Sequence, residues 1–191
     1  MGKNSEPKEN YSVITFNYDL VLENIASYIE KISTVKVFRF LRPGDRKIKD
    51  LPYLVKLHGS IDNQTIVPPT WNKSFSPEIE LEWKKAFSLI ASANHIRFIG
   101  YSLPGSDAYA RYLFKASILK SENLKSIEVI CFDETGNVEK NYNDFITWNS
   151  SNYRFFGSKV ENFFQYIGGG GLGEAHNRFR RKQKEADGTT R

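Results

Sequence analysis

Three short segments carry side chains that can exchange protons or hydrogen-bond a ligand, and each follows an apolar run. They are "TFNYD" (15–19), "KLHGS" (56–60) and "IGYSLPGSD" (99–107). His58 stands out, because an imidazole whose pKa lies near neutrality can accept or donate a proton at physiological pH. Taken alone, these residues also have structural explanations. Asn17 and Asp19 can cap the next helix, and His58 can be a buried core histidine that ends a strand.

The elements that must position these segments alternate between strands and helices. Strands are predicted at 11–17, 35–40, 53–58, 95–100, 126–133 and 153–157, and helices at 20–32, 77–93, 107–121 and 158–167. This order predicts an α/β, Rossmann-like fold with a parallel sheet and helices on both faces. Because parallel strands end at one edge of a sheet, the three segments are expected to face the same crevice.

Composition and charge indicate which class of protein to expect. The 191 residues are 40% hydrophobic and 26% charged, with a net charge of +5, as in a soluble globular domain. We expect a polar, disordered stretch at 1–10, one folded domain at 11–167, and a glycine linker with a basic disordered tail at 168–191. That tail holds six Lys or Arg against three acidic residues. The tail therefore supplies +3 of the net charge of +5, which leaves the folded domain close to neutral, and a nucleic-acid partner is not expected.

The cysteine count and the hydropathy pattern indicate the cellular compartment to expect. One cysteine, Cys131, is too few for a disulfide framework or a cysteine-based zinc site and fits a reducing compartment. Residues 1–10 are too polar for a signal peptide, and no run reaches the 18 or so apolar residues that a membrane span needs. A cytoplasmic protein is the expectation.

Four motifs in series carry a more specific resemblance. The segments "ITFNYDLVLE", "YLVKLHGSID", "IVPPTWNK" and "IRFIGYSLPGSDAYARYLF" together resemble the bacterial SIR2-like family, relatives of the sirtuin NAD-consuming enzymes. "FNYD" stands where sirtuins carry T-Q-N-I-D, "LHGS" resembles their catalytic HG, and "GYSL" resembles their G-T-S-L. The resemblance covers about residues 12–167.

This resemblance implies binding of NAD and cleavage of its nicotinamide–ribose bond. Asn17 then holds the ribose hydroxyls and the attacking water, and His58 accepts a proton. Asp19 gathers the nicotinamide carboxamide. The other implied cofactor contacts are Thr15, Gly59, Gly100, Ser102 and Asp133, of which Gly100 permits close backbone approach, Ser102 donates to ribose or phosphate and Asp133 binds an adenosine ribose hydroxyl. No role is implied for Trp71 and Asn72.

Two departures from the sirtuin pattern shape the expectation. The four-cysteine zinc module is absent, which favours the zinc-free branch; that branch often hydrolyses NAD in antiviral defence. The glycine-rich pyrophosphate loop and the first strand are also missing upstream of "FNYD". The sequence is thus expected to be the carboxyl-terminal part of a SIR2-like domain, impaired alone and completed by an amino-terminal half, a second subunit or a homo-oligomer.

Two other classes of function stay open. The first is a non-catalytic module that senses NAD or ADP-ribose and reports to a partner. It predicts binding without turnover. The second is a nucleic-acid-binding protein that uses the basic tail, and it predicts salt-dependent affinity that disappears with residues 168–191.

Overall fold

Seven strands and five helices are defined in the computed structural model, which describes residues 11–32, 39–48, 51–62, 65–66, 77–146 and 152–167. The strands are β1 (Val13–Thr15), β2 (Leu54–Lys56), β3 (Gly59–Ser60), β4 (Thr65–Ile66), β5 (His95–Ile99), β6 (Ser126–Ile130) and β7 (Tyr153–Phe156). The helices are α1 (Val21–Ile32), α2 (Pro77–Ala91), α3 (Ala108–Lys120), α4 (Asn137–Phe145) and α5 (Val160–Ile167). The chain divides into a first unit, Met1–Ala93 with Ser106–Glu122, and a second unit, Asn94–Gly105 with Asn123–Arg191.

The first unit is built on the parallel pair of β1 and β2, with Val13 opposite Leu54 and Thr15 opposite Lys56. Every residue from Tyr53 to Leu57 is buried, which suits a strand covered on both faces. Helix α2 packs against β2 and against α3. A short antiparallel pair of β3 and β4 follows directly after β2.

The second unit is a three-stranded parallel sheet in the order β5-β6-β7. The central strand β6 places Ile127, Val129 and Ile130 fully inside, as its run of β-branched residues predicts. Helix α5 packs on this sheet through Phe163, whose ring centroid lies 5.0 Å from that of Phe156.

The α/β class with parallel strands and flanking helices, predicted from the sequence, is confirmed by these elements. Helix α4 and the β3–β4 pair are additions that the periodicity did not reveal. Helix α4 is mostly polar and buries only Tyr142 and Phe145, so its apolar stripe is too sparse to stand out. Strands β3 and β4 have two residues each, which is below the length at which alternation is visible.

Several expectations concern residues outside those that the structure describes. These are the disorder of 1–10 and 168–191, most of the strand at 35–40, and the motif residues Trp71 and Asn72. Among the residues that are described, no helix is long and apolar enough to cross a membrane.

Candidate functional site

The loop after β1 carries three of the predicted residues and is shaped by its own side chains. The hydroxyl of Thr15 accepts a hydrogen bond from the backbone N–H of Asn17 at 3.0 Å. The carboxylate of Asp19 accepts one from the N–H of Val21, also at 3.0 Å, and so caps the first turn of α1. Asn17 is exposed. Thr15 and Asp19 therefore fix a turn that presents the Asn17 amide to solvent.

The turn after β2 carries His58 and Gly59. His58 is half-buried, its Nε2 atom is buried, and its ring meets that of Phe16 edge to face with centroids 5.2 Å apart. The carbonyl of Leu57 accepts a hydrogen bond from the indole N–H of Trp83 at 2.9 Å. Packing and this bond hold the imidazole beside the loop after β1.

Gly59 is required by the backbone at this turn. Its φ of +82° lies in the left-handed region, and a Cβ there would stand 1.5 Å from the carbonyl oxygen of Thr65. No residue with a side chain fits such a position without moving the backbone. The glycine of the HG pair is thus explained by the close pairing of β3 with β4.

Two backbone hydrogen bonds join the loop after β1 to the turn after β2. The N–H of Leu57 donates to the carbonyl of Thr15, and the N–H of Ile61 donates to the carbonyl of Tyr18, each at 2.9 Å. The structure therefore brings together the predicted residues of the first unit, which are Thr15, Asn17, Asp19, His58 and Gly59. The predicted proximity of two motifs that are about 40 residues apart holds for this pair.

A network of charges lies under these two loops, and the sequence motifs did not single it out. The Lys56 side chain is 1% exposed, and its ammonium lies 2.7 Å from Glu23 Oε1. Arg42 bridges Glu23 and Glu82, at 3.2 and 3.1 Å. Burial raises the pKa of Glu82, although the N–H of Lys56 and the guanidinium of Arg42 oppose that shift. The signal was a lysine inside a buried apolar strand, where an unpaired charge is costly.

In the second unit, the turn after β5 carries Gly100 and Ser102. Gly100 has a φ of +68° and open space where a Cβ would stand, and Ser102 is exposed. The next residue, Leu103, also has a positive φ, of 51°, and is fully buried. A positive φ at a leucine is a strained conformation that surrounding packing must hold, and such strain gathers at functional sites.

Helix α4 contacts this turn through two hydrogen bonds. The hydroxyl of Tyr142 donates to the carbonyl of Tyr101 at 2.8 Å, and the Asn141 amide donates to the carbonyl of Ser102 at 3.5 Å. The helix absent from the sequence prediction thus fixes the backbone of the "GYSL" motif.

Asp133 follows β6 and is engaged with the start of α4. Its carboxylate accepts hydrogen bonds from the N–H of Thr135 at 3.3 Å and of Glu139 at 2.8 Å. Desolvation tends to raise the pKa of Asp133, but these and other backbone N–H groups outweigh it and lower the pKa below 3.8. The carboxylate is therefore an anion at neutral pH, with its oxygens partly occupied by the helix.

The chemistry of the remaining groups is limited. Cys131 is buried, and that burial, with the charge of Asp133, raises the pKa of its thiol, so it is a poor nucleophile. Within the described ranges, no cluster of three or more His, Cys, Asp or Glu is arranged to hold a metal ion.

Parallel strands, flanking helices and polar turns at strand ends define an α/β protein of Rossmann-like architecture. A family model described as the SIR2-like domain matches residues 11–156. The chain belongs to this SIR2-like family, as the four motifs predicted. No match was found among curated proteins or among solved structures.

Proposed function

We propose that this protein binds NAD and hydrolyses its nicotinamide–ribose bond, releasing nicotinamide and ADP-ribose. Membership of the SIR2-like family supports the cofactor. The observation that carries the proposal is the joined pair of loops, which holds His58 against Phe16, next to the exposed Asn17. An amide and an imidazole are the groups that a reaction at a ribose carbon needs to orient water and remove its proton.

In the proposed reaction a water oxygen forms a bond to C1′ of the nicotinamide ribose while the bond from C1′ to the pyridinium nitrogen breaks. The electron pair of that bond stays on the nitrogen, so nicotinamide leaves neutral. His58 takes the proton of the water and passes it to solvent. Asn17 holds the ribose hydroxyls and the water, and Asp19 faces the carboxamide.

The remaining predicted residues take binding roles in this proposal. Thr15 and Gly59 contact the cofactor from the loops that carry Asn17 and His58. Gly100 and Ser102 offer backbone and hydroxyl groups to ribose or phosphate, and Asp133 accepts from an adenosine hydroxyl. The wider role in antiviral defence, and a bacterial origin, follow only from the family resemblance.

A second candidate is a sensing module that binds NAD or ADP-ribose without turnover. The buried Nε2 atom of His58 favours it, since a nitrogen shielded from water is a poor acceptor for a water proton. The two candidates share the ligand and differ only in product formation.

The test is incubation of the purified chain with NAD, with nicotinamide and ADP-ribose separated by chromatography. We expect the chain alone to release both products slowly, and this release to fall by about 100-fold or more in His58→Ala and in Asn17→Ala. His95→Ala is the matched control, because His95 is exposed and, at the start of β5, contacts Ser126 at the start of β6. Equal release by the His58→Ala and His95→Ala variants would refute the catalytic role. Binding of NAD with no release would select the sensing module.

A further inference from the structure

Lys56 is a buried cation whose donors are all used. Its ammonium donates to the carbonyl of Asp19 at 2.5 Å and to the hydroxyl of Ser60 at 3.1 Å, and it pairs with Glu23 at 2.7 Å. An ammonium has three N–H donors, and three acceptors surround this one. Such complete pairing is what allows a lysine to be 1% exposed.

The three acceptors lie on different segments around the candidate residues. Asp19 belongs to the loop of Asn17, and Glu23 to the first turn of α1. Ser60 lies two residues beyond His58, while Lys56 itself lies two residues before it. One side chain thus links both loops and the helix that follows the first of them.

We propose that Lys56 is a positioning residue that holds the Asn17–Asp19 loop against the turn of His58. Its consequence for catalysis rests on the function proposed above. Lys56 does not act on the substrate. It fixes the backbone of the two loops, next to the hydrogen bonds that Leu57 and Ile61 donate to Thr15 and Tyr18.

Removing the ammonium breaks its bonds to the Asp19 carbonyl and the Ser60 hydroxyl but leaves the Glu23 carboxylate beside a cation. Arg42 still pairs with Glu23 and Glu82 in a Lys56→Met variant. The bond of 2.7 Å from the backbone N–H of Lys56 to Glu82 Oε2 does not depend on the side chain. The substitution therefore tests the ammonium group alone, with a side chain of similar length left to fill the space.

The first measurement is steady-state NAD hydrolysis by Lys56→Met, at a temperature where the variant is fully folded. We expect kcat to fall by about 100-fold, because small displacements of reacting groups have effects of that order. Lys84→Met is the control, since Lys84 is 70% exposed and pairs with Glu80 along its own helix. A purely structural Lys56 would lower the melting temperature and leave kcat unchanged, and that result would overturn the proposal.

The second measurement needs no activity and separates this inference from the proposed function. Amide hydrogen exchange is followed at Leu57 and Ile61 without NAD. We expect exchange faster on the order of tenfold in Lys56→Met, with no change in Lys84→Met or in the β5 and β6 amides. Faster exchange in a chain that never hydrolyses NAD would reject the function and keep the loop-holding role. Unchanged exchange would reject that role.

A milder variant covers the case in which Lys56→Met does not fold. Ser60→Ala removes one acceptor of the ammonium and leaves the carboxylate and carbonyl in place. We expect kcat to fall and the amide exchange of Ile61 to become faster, each by less than in Lys56→Met. A folded Ser60→Ala chain that matches the unsubstituted protein in both measurements would contradict the proposal.

Discussion

At the scale of single residues, the HG pair shows why one of its members cannot vary. His58 supplies a titratable ring, whereas Gly59 supplies a backbone shape. The left-handed φ and the nearby carbonyl of Thr65 exclude any Cβ, so the glycine is fixed by geometry whatever the chemistry of the histidine. Sequence reasoning that assigned Gly59 to cofactor contact could not see this reason, because Thr65 comes close only in the folded chain.

Gly59→Ala should therefore be strongly destabilising. The methyl group would overlap backbone atoms that cannot rotate away, and the left-handed conformation adds strain, which together should cost about 3 kcal/mol or more. The measurement is denaturant unfolding of the variant and the unsubstituted chain. Gly44→Ala is the control, since Gly44 belongs to the same unit, has a φ of +97°, and leaves a Cβ in open space. It should lose only the strain, about 1–2 kcal/mol. Equal losses for the two would contradict the clash.

At the scale of elements, the sequence predicted what depends on long apolar periodicity. Strands β1, β2, β5 and β6 are compact apolar runs, and their parallel pairing follows from the helices between them. Helix α4 was missed because it is mostly polar and buries only Tyr142 and Phe145, and because its hydrogen bonds from Tyr142 and Asn141 to the turn after β5 follow no sequence period. The apolar residues of α1 are covered unevenly. Ala26 is buried, while Ile25 and Ile32 are 49% and 64% exposed, since neighbours in space decide which side of a helix is covered.

The candidate site, like the fold, was predictable from the sequence only in part. The nearness of the Asn17 loop and the His58 turn could be predicted, because both follow neighbouring parallel strands. The network of Lys56, Glu23, Arg42 and Glu82 could not, since its members come from four separate segments and their pairing needs three dimensions. Likewise, the engagement of Asp133 by backbone N–H groups depends on the unpredicted α4.

The link between Asp133 and α4 predicts a pH dependence of stability. Its folded pKa lies below the ordinary 3.8, so the carboxylate stabilises the fold above pH 3.8 and loses that contribution as pH falls through the folded pKa. The free energies of unfolding of the unsubstituted chain and of Asp133→Asn should differ steadily from pH 7 to 5 and converge at lower pH. Urea unfolding at each pH measures this. Glu134→Gln controls for the loss of one negative charge, and a gap that widens in acid would contradict the assignment.

At the scale of the whole molecule, non-specific attraction of anions to the net positive charge must be distinguished from specific binding of NAD. The chain carries +5 in total, so any polyanion gains some general attraction that salt weakens. NAD is an anion, and a small effect of NAD on stability is therefore no proof of a site. Specific binding instead follows saturation, with a stabilisation of about 2.7 kcal/mol when the ligand is at 100 times its Kd.

NAD should raise the melting temperature of the full chain in this saturable way. The experiment uses the His58→Ala variant, because hydrolysis during heating would deplete the ligand in the active protein. Inorganic pyrophosphate at the same ionic strength controls for attraction to positive charge and should give a smaller shift that disappears with added salt. A variant without residues 168–191, which lack the SIR2-like match, should keep the NAD shift in full. A shift that pyrophosphate reproduces, or that is lost with those residues, would assign the binding to charge alone and remove the basis for an NAD site.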